Sequence, residues 1–319
     1  VTPIPPTATP SPTATPSPTP NPGGSAFFNY CAFGQDDGDA LRLEDFAQVN
    51  CSVGGTGNVE IKKDATLDGD ADSIEKEVKL DERAVVNGDI DATKKVEIKD
   101  DAEVGGNIVA GDEIKIEHDV YVAGDAISAD KITVGSGSII DGTQSEYASI
   151  PAADPILLPD FEVVHGSTDF KVEKNTQILL MPGDFKKLEV GENATLTLSS
   201  GNYTFEEIVV KKDATIEFEA GAGSIVLAVK KKVEFDDRAQ MVQYGGAATD
   251  ILILVAEGDV KLGQQGQYVG TFYAPNAHID LEDDASLTGA LYGEKVHIKK
   301  HATLSFAPAI DAYNDYFSP

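Results

Sequence analysis

A segment that renews itself about every 18 residues constrains this chain more than any other feature. From Val59 the sequence divides into VEIKKDATLDGDADSIEKE, VKLDERAVVNGDIDATKK, VEIKDDAEVGGNIVAGDE, IKIEHDVYVAGDAISADK and ITVGSGSIIDGTQSEYAS. Glycine holds the eleventh place of each: Gly69, Gly88, Gly106, Gly124 and Gly142. Apolar residues hold the first, third and ninth places, and the seventh is usually small. Local alternation inside a fixed long period specifies short strands separated by corners, so each line is one coil of a solenoid. Its first and third residues point inward, and the recurrent glycine predicts a corner with unusual φ.

The pattern returns with less regular spacing at Phe170, Leu188, Ile208, Val233, Val260, Ile279 and Val296. Unequal intervals predict inserted loops or a longer strand on one side of the coil, as in GSIVLAV (223–229) and DILILVA (250–256), whose apolar runs suit buried strands. The expected fold is therefore all-β, a parallel β-helix of about 18 residues per coil. Its blocks are 59–142, regular, and 170–307, irregular, joined by 143–169. That connection holds the cluster Ile156, Leu157 and Leu158. It is expected to cross along the outside, the alternative being an exposed docking patch.

Charge supports this alignment independently. Residues in the same place on successive coils stack about 4.8 Å apart, where opposite charges help and like charges hurt. Glu60 meets Lys79, Glu97 and Lys115 in turn; Lys62 meets Asp81, Lys99 and Glu117; Asp64 meets Arg83 and then Asp101. Later, Lys211 meets Asp236, Lys212 meets Asp237 and Asp213 meets Arg238. Near the end, Asp280, Glu282, Asp283 and Asp284 meet His297, Lys299, Lys300 and His301. The ladders read chiefly as register control.

Residues 1–24 form a Pro/Thr-rich stalk: nine of the chain's 16 prolines and six threonines lie in the first 22 residues. Proline at this density removes backbone donors and fixes φ, which predicts extended polyproline II and excludes helix and sheet. Threonine beside proline marks Thr7, Thr9, Thr13, Thr15 and Thr19 as O-glycosylation candidates. Asn193 and Asn202 head N-glycosylation sequons. An upstream export signal or anchor, removed in the mature protein, is expected. No apolar run is long enough for a transmembrane helix. Cys31 and Cys51 are the chain's two cysteines, and in an exported protein such a pair predicts a disulfide. An extracellular or cell-surface location follows.

Residues 25–58 are read as an N-terminal cap with a short helix around Asp39–Val49, and 308–319 as an aromatic tail. A solenoid end exposes apolar surface and open strand edges, so it needs covering. Phe27, Phe28, Tyr30, Phe33, Tyr313, Tyr316 and Phe317 serve that role, or else dock onto a neighbouring molecule, which makes them assembly candidates.

The first block resembles the bactofilins, bacterial polymer-forming proteins, in VVNGDIDATKKVEI and VGGNIVAGDEIKI. The resemblance implies a right-handed, three-sided β-helix that polymerises end to end. The second block is similar to an uncharacterised β-helical domain of pilus-associated and surface proteins in MPGDF, SSGNYTFEEI, VGTFYAPNAHIDL, TGALYGEKVHI and HATLSFAPA. The stalk, the expected disulfide and the second block depart from the bactofilin pattern.

The formal net charge of -29 disfavours nucleic acid and anionic lipid as partners and suits cations or a basic partner. Enzymatic β-helices need clustered carboxylates beside a basic residue in a groove; here most carboxylates have a cation on the next coil, so no catalytic residue is assigned. His278, His297 and His301 lie close together, but aspartates already account for two of them. Thr66, Thr195, Thr215 and Thr303 recur without a flat Thr-x-Thr array, against ice binding. Asp70, Asp89, Asn107 and Asp125 stack behind the glycines with like sign and are candidate Ca²⁺ ligands; otherwise they are solvated turn acids. The resulting expectation is an extracellular structural protein, a subunit of a fibre or surface scaffold. It would associate with its own copies or other surface proteins through the solenoid ends or the stalk. The alternative is a polysaccharide-binding adhesin using Tyr244, Tyr268, Tyr273 and Tyr292; an enzyme is the remotest reading.

Overall fold

The computed structural model describes residues 26–317; the stalk and its threonines lie outside the described residues. The fold is an all-β parallel solenoid of about 14 turns, with about 19 residues per turn and one short α-helix, Ile310–Phe317. Each turn contributes three short strands, so the molecule has three faces. Face A carries Val59–Ile61, Val78–Leu80 and their equivalents. Face B carries Thr66–Leu67 and Val85–Val86, and face C carries Ala71–Ser73 and Ile90–Ala92. Among the described residues all strand pairings are parallel, such as Val59 with Val78 and Val96 with Ile114, with register shifts at Asp39/Leu41, Phe205/Glu207 and Ala274/His278.

The inward places of the repeat are the core. Val59, Ile61, Ala65 and Leu67 are fully buried, and so are Val78, Leu80, Ala84 and Val86 one turn on. They belong to one apolar column that continues through both blocks.

The order of turns along the axis is not the order along the chain. Ala32–Gly34, Asp39–Leu43 and Gln48–Asn50 form a complete turn, and it pairs on both sides. One side meets the first block, Ala32 with Val53 and Leu41 with Val59. The other side meets the last turn of the second block: Ala32 with Leu291, Leu41 with Val296 and Gln48 with Thr303. The segment read as an N-terminal cap thus covers the first block, but it is an internal turn at the waist of the molecule. The helix expected around Asp39–Val49 is absent; that stretch is strand, and LRLEDFAQV follows the same template as VEIKKDATL.

The chain therefore runs from the waist to one end, at Ile132–Val134, Ile139–Ile140 and Gln144–Ser145. It then crosses to the opposite end, at Phe170–Val172, Gln177–Leu180 and Gly183–Asp184, and winds back to the waist. Residues 146–169 make the crossing as a strap over face C. Ala148 N–H donates to Ser128 O at one end and Gly166 N–H to Phe185 O at the other. Twenty-four residues reach at most about 80 Å, enough for about 60 Å of stacked turns.

The strap explains the doubly apolar runs. Val226, Ala228, Leu252 and Leu254 face outward on face C and are buried beneath Leu158 and Val163 of the strap. Of the suspected docking patch, Ile156 and Leu158 turn inward and Leu157 faces out.

Candidate assembly surfaces

One residue per turn, at the corner between faces A and B, has positive φ. In axial order these are Asn175, Asn193, Asp213, Arg238, Gln265, Asp284, His301, Phe46, Asp64, Arg83, Asp101 and Asp119, followed by Gly137. Asp and Asn tolerate the left-handed region better than other side chains, which explains their frequency here. The corner fixes the rest of the turn: residues five and three places before it and three places after it point inward. Thus Leu41, Leu43 and Val49 are placed around Phe46 as Val59, Ile61 and Leu67 are around Asp64.

The recurrent glycines do something else. They lack positive φ; they allow close approach. A Cβ on Gly88 would lie 2.2 Å from Asp70 Oδ1, and one on Gly106 would lie 2.3 Å from Asp89 Oδ1. The space belongs to a ladder of side chains accepting backbone bonds from the next turn. Asp89 N–H donates to Asp70 Oδ1 (2.9 Å), Asn107 N–H to Asp89 Oδ1 (2.6 Å), Asp125 N–H to Asn107 Oδ1 (2.9 Å) and Thr143 N–H to Asp125 Oδ1 (2.7 Å). Bonds from Thr143 hold the Asp125 carboxyl below its usual range. The candidate Ca²⁺ column is thus a hydrogen-bond ladder, and no group of three or more metal-ligating residues occurs among the described residues.

The charge columns are present with mixed detail. Arg83 donates bidentately to Asp64 and Arg238 to Asp213, each with a shortest contact of 2.7 Å. Lys99 and Lys115 bridge Glu97 and Glu117 in a four-membered network with contacts of 2.8–3.0 Å. Lys211 lies 3.4 Å from Asp236. Lys174 pairs with Glu192. The three histidines go to separate partners: His297 to Asp280 (3.3 Å), His278 toward Glu294 (3.9 Å) and His301 to the ring of Phe46.

Cys31 and Cys51 form a disulfide with Cα atoms 6.0 Å apart, stitching the waist turn to the turn after it. The aromatic assembly candidates are engaged within the chain. Phe27, Phe28, Phe33 and Tyr313 are buried in a lateral cluster on face C with Tyr273 and Tyr292, and Tyr30, Tyr316 and Phe317 pack against it. Phe28 and Tyr313 meet edge to face at 5.0 Å. These residues pack on the flank of the waist, away from the two solenoid ends. The proposed sugar platform is also dispersed: Tyr268, Tyr273 and Tyr292 are buried, and Tyr244 alone is exposed, at 69%. Thr66, Thr195, Thr215 and Thr303 do lie in one rank on face B, interrupted by Gln240, Gln267, Ser286 and Gln48. Asn193 and Asn202 are both exposed.

The open surfaces are the two ends. The strands at Ile132–Val134, Ile139–Ile140 and Gln144–Ser145 pair on one side only, with Ile114–Ile116, Tyr121–Val122 and Ala126–Ser128. Those at Phe170–Val172, Gln177–Leu180 and Gly183–Asp184 likewise have one neighbour each. Apolar side chains stand at both edges: Val134 and Ile139 at one, Ile178, Leu179 and Met181 at the other, with exposures of 37–61%. Among the described residues, no helix is long and apolar enough to cross a membrane.

A family model described as a domain of unknown function, DUF7305, matches residues 238–313. This stretch holds the last turns of the second block, which pair with the waist turn, and the first half of the C-terminal helix. No curated protein sequence matches the chain. Among solved structures, the crystal structure of an ice binding protein from the Antarctic bacterium Flavobacteriaceae is similar at 12% identity, over 88% of this chain and 82% of that chain, with a TM-score of 0.31. So distant a likeness carries no argument about activity. None of these matches is to a bactofilin or a pilus-associated protein.

Proposed function

We propose that the protein is an extracellular, non-enzymatic structural subunit whose solenoids stack head to tail into a thin fibre. One observation carries this reading: the end strands of both ends have a strand partner on one side only and share the same parallel register, while the first and last described segments, Ala26–Asn29 and Ile310–Phe317, pack on the flank of the waist. Counting from the corner residue, Ile132 and Val134 precede Gly137 as Phe170 and Val172 precede Asn175; Ile140 and Ile178 follow at the same distance. A second copy thus sets Phe170, Val172 and Ile178 against Ile132, Val134 and Ile140, continuing all three faces. The waist supplies a precedent, since Ser286–Ile298 and Thr303–Phe306 already pair there with strands from the far end of the sequence. The disulfide supports an oxidising, extracellular location. Burying each exposed apolar end residue contributes about 1–2 kcal/mol, and mutual repulsion of highly acidic rods disfavours bundles.

A head-to-tail contact has two different halves, which gives a decisive test. Val134→Lys blocks one end and Ile178→Lys the other; each lysine is tolerated on an open edge but is buried unpaired in a stack. Wild type is expected to form fibres in negative-stain micrographs. Each variant alone is expected to be monomeric, and an equimolar mixture is expected to give heterodimers and nothing longer. Monodisperse wild-type monomer at high concentration, or homodimers of a single variant, overturns the reading.

A further inference from the structure

One place breaks the rule of alternating charge. On face C, Asp72 and Asp91 are register partners on adjacent turns, with Asp70 and Asp89 at the corner behind them. Among the described residues, neither carboxyl is in an ion pair with a lysine, arginine or histidine. The Tyr30 hydroxyl donates to Asp72 Oδ2 at 2.7 Å. Its ring lies against Gly54, where a Cβ would stand 2.9 Å from Tyr30 Cε1. Strap residues Ile150–Ala153 line, together with Tyr30, Asp72, Asp91 and Val109, a half-open cavity of about 340 Å³. Asp154, the nearest acid of the strap, adjoins them.

The strap is weakly held here. Beyond Ala148, its next hydrogen bond to the body among the described residues is from Leu158 N–H to Gln35 Oε1. Residues 149–157 therefore rest on packing alone.

We propose that Asp72 and Asp91 are a proton-operated latch, which keeps this part of the strap closed while the carboxyls are neutral and releases it when both ionise. Loss of solvent, and then the charges of Asp91, Asp70 and Asp89, push the half-buried Asp72 up to about 7, with the Tyr30 bond pulling the other way. Asp91, which keeps an exposed face, is pushed up to about 6 by partial loss of solvent and then by Asp89 and Asp70. A raised carboxyl favours the closed form at low pH, and that preference is lost as pH rises through these values. The bond from Tyr30 favours the ionised form of Asp72, so it opposes closure and sets the release point lower than burial alone would.

The test uses a thiol placed under the strap. Both native cysteines are in the disulfide, so a Val109→Cys variant carries the one free thiol among the described residues. Its labelling rate is normalised to that of Thr288→Cys, an exposed site on face B. Between about pH 5 and pH 8 the normalised rate is expected to rise about tenfold, the equivalent of one pKa unit of differential stabilisation. With Asp72→Asn and Asp91→Asn added, the rise is expected to vanish. A flat profile with both aspartates present, or an undiminished rise without them, overturns the latch. Should the double substitution lose its β-sheet circular dichroism, Asp91→Asn alone answers the question: a smaller rise supports the latch and an equal rise overturns it.

Discussion

His301 stacks on Phe46 with ring centroids 5.0 Å apart and planes 17° from parallel, although the two residues belong to opposite ends of the chain. They are consecutive members of the positive-φ column, and Lys300 Nζ lies 5.5 Å from the Phe46 ring. The seam between the last turn and the first is thus closed by an aromatic contact where the Asp64–Arg83 and Asp213–Arg238 steps of the same column use ion pairs.

Phe46→Ala keeps the left-handed corner and removes the stack. Stability to urea is expected to fall by about 1 kcal/mol, with the loss confined to the waist. Faster hydrogen exchange in Gln48–Asn50 and Thr303–Phe306, with the outer turns unchanged, is the readout.

The ion-pair columns predict compensation. Lys211→Glu should destabilise the second block, and adding Asp236→Lys should restore about half or more of the loss. Strict additivity in the double-mutant cycle would refute their stacking. Both side chains are partly solvated, so the coupling should weaken in high salt.

The Glu97 network predicts an acid limit. Bonds from Lys99 and Lys115 and the nearby Lys95 charge hold Glu97 down to about 2, against opposing burial. A depressed carboxyl contributes stability that is present above its unfolded value and is lost as pH falls toward 2. Glu97→Gln should lower the urea midpoint at neutral pH and flatten its dependence below about pH 4.5.

The glycine ladder predicts a contrast. Gly88→Ala forces a methyl group onto Asp70 Oδ1 and the Gly69 backbone, and should cost about 1–3 kcal/mol. Gly221→Ala meets nothing within 4 Å and should be neutral or stabilising by less than about 1 kcal/mol. Paired urea titrations separate the two.

The turns, their register, the charge columns and the disulfide were legible because each is written locally: a fixed period, alternating signs, two cysteines. The axial order was not. Every turn obeys the same template, so any edge fits any other, and periodicity cannot say that Leu41 neighbours both Val59 and Val296. One signal was available, since LRLEDFAQV matches the repeat and needed no helix. The aromatic flank was misread for a related reason. Phe27 and Tyr313 looked like end pieces because they are terminal in sequence, whereas the apolar outward residues of 225–229 and 251–255 required a cover on the side. The like-charged Asp72 and Asp91 were visible as a departure from alternation, but nothing in the sequence placed the strap over them.

Tension applied to the chain at Ala26 reaches Cys31 within five residues, and there the covalent path divides. Part of it crosses the disulfide to Cys51 and the following turn, bypassing the waist strands Ala32–Gly34, Asp39–Leu43 and Gln48–Asn50. Those strands cannot be drawn out from the N-terminal side while the bond is intact. Their parallel neighbours share the load as shear across many hydrogen bonds, instead of parting one at a time. A rod gripped at mid-length in this way yields last where it is held, and its free ends fray first.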